Sequence, residues 1–139
     1  MKNVISIIAL LITTSIFAQS PIVKQIGEFT EIKAFDLINV TMIKSDKNEV
    51  VIDGANRRNV QVLNKNGKLK IRMELEESYD GNDTTVLLYY TSVDIIDANE
   101  GAEITVKGTL DQFDIKFKAQ EGGEITANVK TTYTDVRAV

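Results

Sequence analysis

The 139-residue chain contains no cysteine and no histidine. Without cysteine there can be no disulfide, no thiol nucleophile and no lipid attached at a lipobox cysteine. Without either residue, zinc sites built on thiolate or imidazole are excluded, as are His-based catalytic triads. Tryptophan is also absent, and Pro21 is the single proline. A basic excess is missing too. The formal net charge is −4, which argues against nucleic acid and anionic membrane surfaces as partners.

What is present begins with a targeting pattern. Lys2 precedes an apolar run from Val4 to Phe17, which reads as a secretory leader over residues 1–18 with cleavage expected between Ala18 and Gln19. The run is shorter than the about 20 apolar residues of a membrane span, so no membrane insertion is expected after cleavage. The expected destination is outside the cytoplasm, whether periplasm, outer surface or secreted. Residues 19–28 read as a linker, and residues 29–139 as one domain with one modest core. An exported domain without disulfides must rely on packing and backbone hydrogen bonds.

Val, Ile and Thr are frequent, and apolar residues alternate rather than recur at helical spacing, so the fold class is all-β. Strands are expected at 29–35, 37–44, 49–53, 60–63, 69–76 and 84–91. Asn66-Gly67 between two alternating runs marks a tight hairpin, because both residues tolerate positive φ. On the returning strand, Leu69, Ile71, Met73 and Leu75 are expected to face the core. The run Val86-Leu87-Leu88-Tyr89-Tyr90 suits a strand buried on both faces.

The last third repeats. Glu100-Gly101-Ala102-Glu103-Ile104-Thr105 recurs as Glu121-Gly122-Gly123-Glu124-Ile125-Thr126, 21 positions later. A strand-rich period of this length points to a β-solenoid. Ile104 is expected to stack on Ile125, and Ile95, Ile115 and Val136 to form a second ladder. A third copy begins at Thr134-Asp135-Val136 and stops at Val139, so the C-terminal coils read as incomplete. The open coil is then a candidate for self-association through its unpaired backbone.

Three stretches carry a resemblance: Phe35-Asp36-Leu37-Ile38-Asn39-Val40-Thr41, then Glu49-Val50-Val51-Ile52-Asp53-Gly54, then Asn66-Gly67-Lys68-Leu69-Lys70-Ile71. With the Gly-containing coils that follow, they resemble the head GIN domain, a family described as auto-transporter adhesins and common in exported proteins of Bacteroidetes. The resemblance covers residues 29–139. The tripeptide that names the family stands here as Leu37-Ile38-Asn39, without its Gly, and the family usually continues through more Gly-Gly coils. The resemblance implies antiparallel strands and a hairpin leading into a right-handed single-stranded β-helix, and a role in adhesion. It brings no catalytic residues.

Chemistry-bearing constellations are sparse. Ser20, Ser45, Ser78 and Ser92 lie in turns, linkers or strand edges, with no nucleophile-elbow context. Glu76, Glu77, Asp80, Asp83, Glu100, Glu103, Glu121 and Glu124 supply carboxylates that could pair for glycoside hydrolysis, and equally the ordinary acidic surface of strands and turns. Asp80-Gly81-Asn82-Asp83 resembles part of a calcium loop but lacks the EF-hand spacing. Stacked Glu100/Glu121 or Glu103/Glu124 could hold a divalent ion between coils. Arg57, Arg58, Lys65, Lys68, Lys70 and Arg72 form a basic island that could meet an anionic polysaccharide, or be a solvated hairpin face balanced by Glu74 and Glu76. Of the tyrosines at positions 79, 89, 90 and 133, one of Tyr89 and Tyr90 must face outward. No catalytic, cofactor-binding or metal residue is assigned, and no cofactor is expected. The chain reads as a non-enzymatic exported β-solenoid module that binds a glycan or a protein. The alternatives are a carboxylate-dependent polysaccharide-active enzyme, or a truncated fragment or assembly unit with no activity of its own.

Overall fold

The computed structural model describes residues 19–77, 81 and 83–139. The expected leader, Ser78, Tyr79, Asp80 and Asn82 therefore lie outside the described residues. No helix among the described residues is long and apolar enough to cross a membrane.

Among the described residues twelve strands follow one another and there is no α-helix. They are β1 (Ile22–Gln25), β2 (Glu31–Ala34), β3 (Asn39–Lys44), β4 (Glu49–Gly54), β5 (Val60–Lys65) and β6 (Lys68–Met73), then β7 (Thr84–Tyr90), β8 (Ile95–Ala98), β9 (Glu103–Asp111), β10 (Asp114–Ala119), β11 (Glu124–Lys130) and β12 (Tyr133–Ala138). They form two six-stranded sheets, ordered β1-β4-β7-β3-β9-β11 and β12-β10-β8-β2-β6-β5. Three pairings are antiparallel, β1 with β4, β4 with β7 and β5 with β6; the others are parallel. From β7 onward each strand lies in the sheet opposite to its predecessor. The result is an all-β chain of two mixed, open sheets.

The core is the space between the sheets, and alternation fills it. Across the first sheet, Ile52, Val86, Val40, Ile104 and Ile125 stand side by side on paired strands. Across the second, the row is Leu69, Ile32, Ile96, Phe117 and Val136. Ile32, Leu69 and Ile96 are fully buried, Phe117 is nearly so, and Val136 at the end of the row is 68% exposed. Burying such a side chain stabilises by roughly 1.5–3 kcal/mol, so the core is strongest in the middle strands and fades toward β11 and β12.

Turns hold the passes in step. Glu100-Gly101 and Glu121-Gly122 both place two consecutive residues at positive φ, 51° and 73° in the first and 51° and 79° in the second. Gly relieves the steric penalty at the second position of each. Asp36-Leu37 does the same at 58° and 62° without any glycine. The Leu37 N–H donates to the Glu100 carbonyl and the Gly101 N–H to the Glu121 carbonyl, each at 3.1 Å, so the three turns form one column.

Several expectations are corrected. Ile104 does pair with Ile125, but the second ladder runs through Ile96, Phe117 and Val136, not Ile95, Ile115 and Val136. Ile95 pairs with Lys116 and faces outward, because a one-residue slip moves a whole strand to the other face. Leu75 is 80% exposed rather than in the core. The ladder ends at Met73, the Glu74 N–H turns to the Asn59 carbonyl at 2.8 Å, and Leu75–Glu77 coil into a 3-10 turn. β7 is fully buried on one face only, with Thr85 exposed on the other. Ile22–Gln25, within the stretch read as linker, pairs with β4.

Candidate functional site

The outer face of the second sheet gathers cations. Its strands are in register, so outward side chains form straight rows across them. One row reads Lys70, Lys33, Asp97, Lys118, Arg137. The next reads Lys68, Glu31, Ile95, Lys116, Asp135. Lys65 pairs with Lys68 at the β5 edge, and Arg72 stands beyond Lys70 along β6. A chain with net negative charge thus presents one face rich in ammonium and guanidinium groups.

The second row largely neutralises itself. Glu31 lies 3.3 Å from Lys68 and 3.7 Å from Lys33, and Lys116 lies 2.8 Å from Asp135. The first row does not. Lys70 stands opposite Lys33, and Lys118 opposite Arg137. Like charges directly opposite each other on neighbouring strands destabilise a sheet. A single carboxylate, Asp97, sits between the two pairs. Its side chain is fully buried, lies 2.9 Å from the Lys33 Nζ, and accepts hydrogen bonds from Asn99 Nδ2 and Gln120 Nε2, both at 3.0 Å. Asp97 holds the row together without cancelling it.

The basic island expected from sequence is therefore split. Lys65, Lys68, Lys70 and Arg72 lie on this face. Arg57 does not: it is buried, and donates from Nε to the Ser20 carbonyl at 3.1 Å and from Nη1 to the Gly54 carbonyl at 3.0 Å and to Gln19. It fastens the N-terminal segment. Glu74 and Glu76 follow the end of β6 rather than alternating along it, so they do not balance its outward face. Lys33, Lys116, Lys118 and Arg137 complete the face and are scattered through the sequence. Only the pairing of β2, β10 and β12 in one sheet brings them together.

The carboxylates expected to stack do so in part. Glu103 stands beside Glu124 on the outer face of the first sheet. Glu100 and Glu121 occupy successive turns of the column. Burial, a hydrogen bond that the protonated Glu100 carboxyl donates to Asp36, and the charges of Asp36 and Glu121 hold that carboxyl above its ordinary value, while Arg72 pulls the other way. Asp36 is itself buried and accepts the Met73 N–H at 2.9 Å. These acids are tied into turn structure rather than lining a cleft. Among the described residues, no group of three or more acidic side chains is placed to hold a metal ion. Tyr90 points into the core and Tyr89 outward, with the Lys47 Nζ 5.4 Å from its ring centre. Tyr133 is exposed and packs edge-on against Phe113 at 5.4 Å.

This two-sheet arrangement recurs in solved structures. A "putative adhesin" from Bacteroides fragilis superposes with a TM-score of 0.67 at 15% identity, over 88% of this chain and 60% of that one. One from Parabacteroides distasonis gives 0.71 at 15% identity, over 86% and 52%. A "putative lipid binding protein" from the same species gives 0.58 at 12% identity, over 87% and 63%. The chain thus spans about half to three fifths of the length of the structures it matches. No curated protein matched the sequence. A family model described as "Putative auto-transporter adhesin, head GIN domain" matches residues 28–139, and the chain belongs to that family.

Proposed function

We propose that the protein is a non-enzymatic, exported binding module that holds an anionic polysaccharide against the outer face of its second sheet. The row Lys70, Lys33, Asp97, Lys118, Arg137 carries this reading. Two like-charged cross-strand pairs are tolerated at a cost to folding, and a polyanion laid across the strands would turn that cost into binding energy. The spacing of about 4.8 Å between strands offers a linear polymer a regular series of cations. The family resemblance and the 21-residue repeat support reading the two sheets as faces of a β-solenoid, whose stacked passes make extended flat surfaces. The family's adhesin description and the leader pattern over residues 1–18 support a place at the cell surface.

Binding to an acidic polysaccharide such as alginate should weaken steeply as salt rises, and neutral dextran should not bind. Reversing two cations of the row, Lys70→Glu with Lys118→Glu, should weaken binding by about tenfold. Equal binding to dextran, or indifference to the double reversal, would overturn the proposal. Preference for vesicles of anionic phospholipid over the polysaccharide would move the ligand from glycan to lipid headgroup.

A further inference from the structure

The cationic row of the second sheet does not begin with a cation. One strand beyond Lys70 stands Leu63, its cross-strand partner on β5. Leu63 is 56% exposed, at an outward position where alternation calls for a polar side chain. Leu63, Lys65, Asn66, Lys68 and Lys70 border a hollow of about 420 Å³, within the size range of small-ligand sites.

The hollow follows from side-chain length. Leu63 stands directly opposite Lys70, and Lys65 opposite Lys68. Four side chains therefore occupy the corners of a rectangle, about 5 Å across the strands and about 7 Å along them. Leucine ends at its two methyl groups, whereas each lysine continues past that height to an ammonium. The result is an apolar floor inside a cationic rim. Asn66 closes one end from the β5–β6 turn. That turn is held against β2, because the Thr30 and Glu31 N–H groups donate to the Gly67 carbonyl at 2.8 and 3.1 Å.

The rim keeps its charge. Lys68 lies 3.3 Å from Glu31, but Lys65 and Lys70 join no ion pair among the described residues. The margin of β5 is covered by the chain itself. The Asn64 side chain donates to the carbonyls of Ile26 and Glu28, each at 2.8 Å, and ties the segment between β1 and β2 across it. The hollow thus belongs to one hairpin, at the end of the sheet away from β12.

We propose that this hollow is a selective subsite of the cationic face. It takes an acidic sugar substituent whose carboxylate and methyl group share one carbon, as in a lactyl ether or a pyruvate ketal. The inference rests on the polysaccharide reading and adds to it the kind of acid preferred.

An ammonium rim alone would accept any carboxylate. A uronic acid, whose carboxylate sits on a ring flanked by hydroxyls, would leave Leu63 facing polar groups. With floor and rim only about 5 Å apart, the apolar group and the charge of a matching ligand must sit on neighbouring atoms. A methyl on the carboxylate-bearing carbon meets this condition. The methyl rests on Leu63, the carboxylate lies between Lys70 and Lys65 as an acceptor of charge-assisted hydrogen bonds, and the ether oxygen leads to the sugar at the mouth, beside the Asn66 amide. An acyl chain is longer than the rectangle and would run out over the charged rows. Covering one methyl is worth about fourfold in affinity.

Titration calorimetry at one salt concentration tests this with two polymers of matched charge density: alginate, and a galactan bearing pyruvate ketals. The protein should bind the ketal polymer about fourfold more tightly. Leu63→Asn, nearly isosteric and at an exposed site, should remove that preference and leave alginate binding unchanged, which also shows that the variant is folded. Displacement of the ketal polymer by N-acetylmuramic acid, or by the pyruvate ketal of methyl galactoside, distinguishes the two sources of this chemistry. N-acetylglucosamine, which lacks the acid, should displace nothing. Equal affinity for the two polymers, a preference that survives Leu63→Asn, or displacement by neither acid would overturn the subsite and leave the cationic face standing. Failure of both polymers to bind would overturn the face and the subsite together.

Discussion

The Leu37 side chain lies over Gly101, so closely that a Cβ added to Gly101 would stand 2.5 Å from Leu37 Cδ2. Leu37 sits at φ 62°, where a leucine is costly, and it occupies the place of the Gly in the family's naming tripeptide. Leu37 and Gly101 are thus one packing arrangement: the side chain of the first is accommodated by the absence of a side chain at the second.

Gly101→Ala should therefore cost more than Gly122→Ala, although both sites have similar positive φ. At Gly122 an added Cβ meets nothing nearer than 3.9 Å. That substitution should cost about 1 kcal/mol from backbone conformation alone, and Gly101→Ala about 1–3 kcal/mol more from overpacking. In a Leu37→Ala background the excess should vanish. Urea unfolding of the double-mutant cycle measures it.

Gly123→Ala should be the most damaging glycine substitution in the repeats. An added Cβ would stand 2.2 Å from the Ala98 carbonyl oxygen, which is backbone and cannot step aside. Gly108 has positive φ but open space around it. Gly108→Ala should cost about 1 kcal/mol and Gly123→Ala at least about 3 kcal/mol, read as midpoint shifts in denaturant.

Asp97 should be hard to remove alone. Asp97→Ala would strip the buried carboxylate from Lys33 and leave its row of cations uncompensated, a loss of about 3–5 kcal/mol. Replacing both partners together, Lys33→Met with Asp97→Leu, should recover most of it. Thermal unfolding of the three variants at one pH decides this.

Glu100 should make the fold less stable as pH rises. Its carboxyl is held above the ordinary 4.5 by burial first, then by Asp36. The folded state binds its proton more tightly than the unfolded chain, so its contribution is fully present below about 4.5 and lost as pH rises through the folded value. Glu100→Gln should then raise the melting temperature at pH 7, and the advantage should disappear near pH 4. An advantage that persisted unchanged at pH 4 would count against the titration of this carboxyl.

How far the sequence could be read depends on the range of each signal. Asn66-Gly67, Glu100-Gly101 and Glu121-Gly122 announce their turns because positive φ is a property of one or two residues. The 21-residue offset shows in the pairing of Ile104 with Ile125 for the same reason, since a repeat carries its own register. Ile95 was misplaced because alternation shows which residues of a strand share a face, not which face is inside. The cationic row was invisible for a deeper reason. Lys33, Lys70, Lys118 and Arg137 lie on four strands far apart in the chain, and only the order of strands in the second sheet makes them neighbours. Arg57 looked like their companion because it is close to Lys65 in sequence, yet a 3-10 turn carries it into the protein.

The burial gradient from Leu69 to Val136 also has a kinetic meaning. A chain whose parallel passes contact mainly their neighbours loses structure from its least covered end. Amide hydrogens of β12 and β11 should exchange first and those of β2, β3 and β8 last, so unfolding would advance through the molecule as a front from one side rather than as a single event.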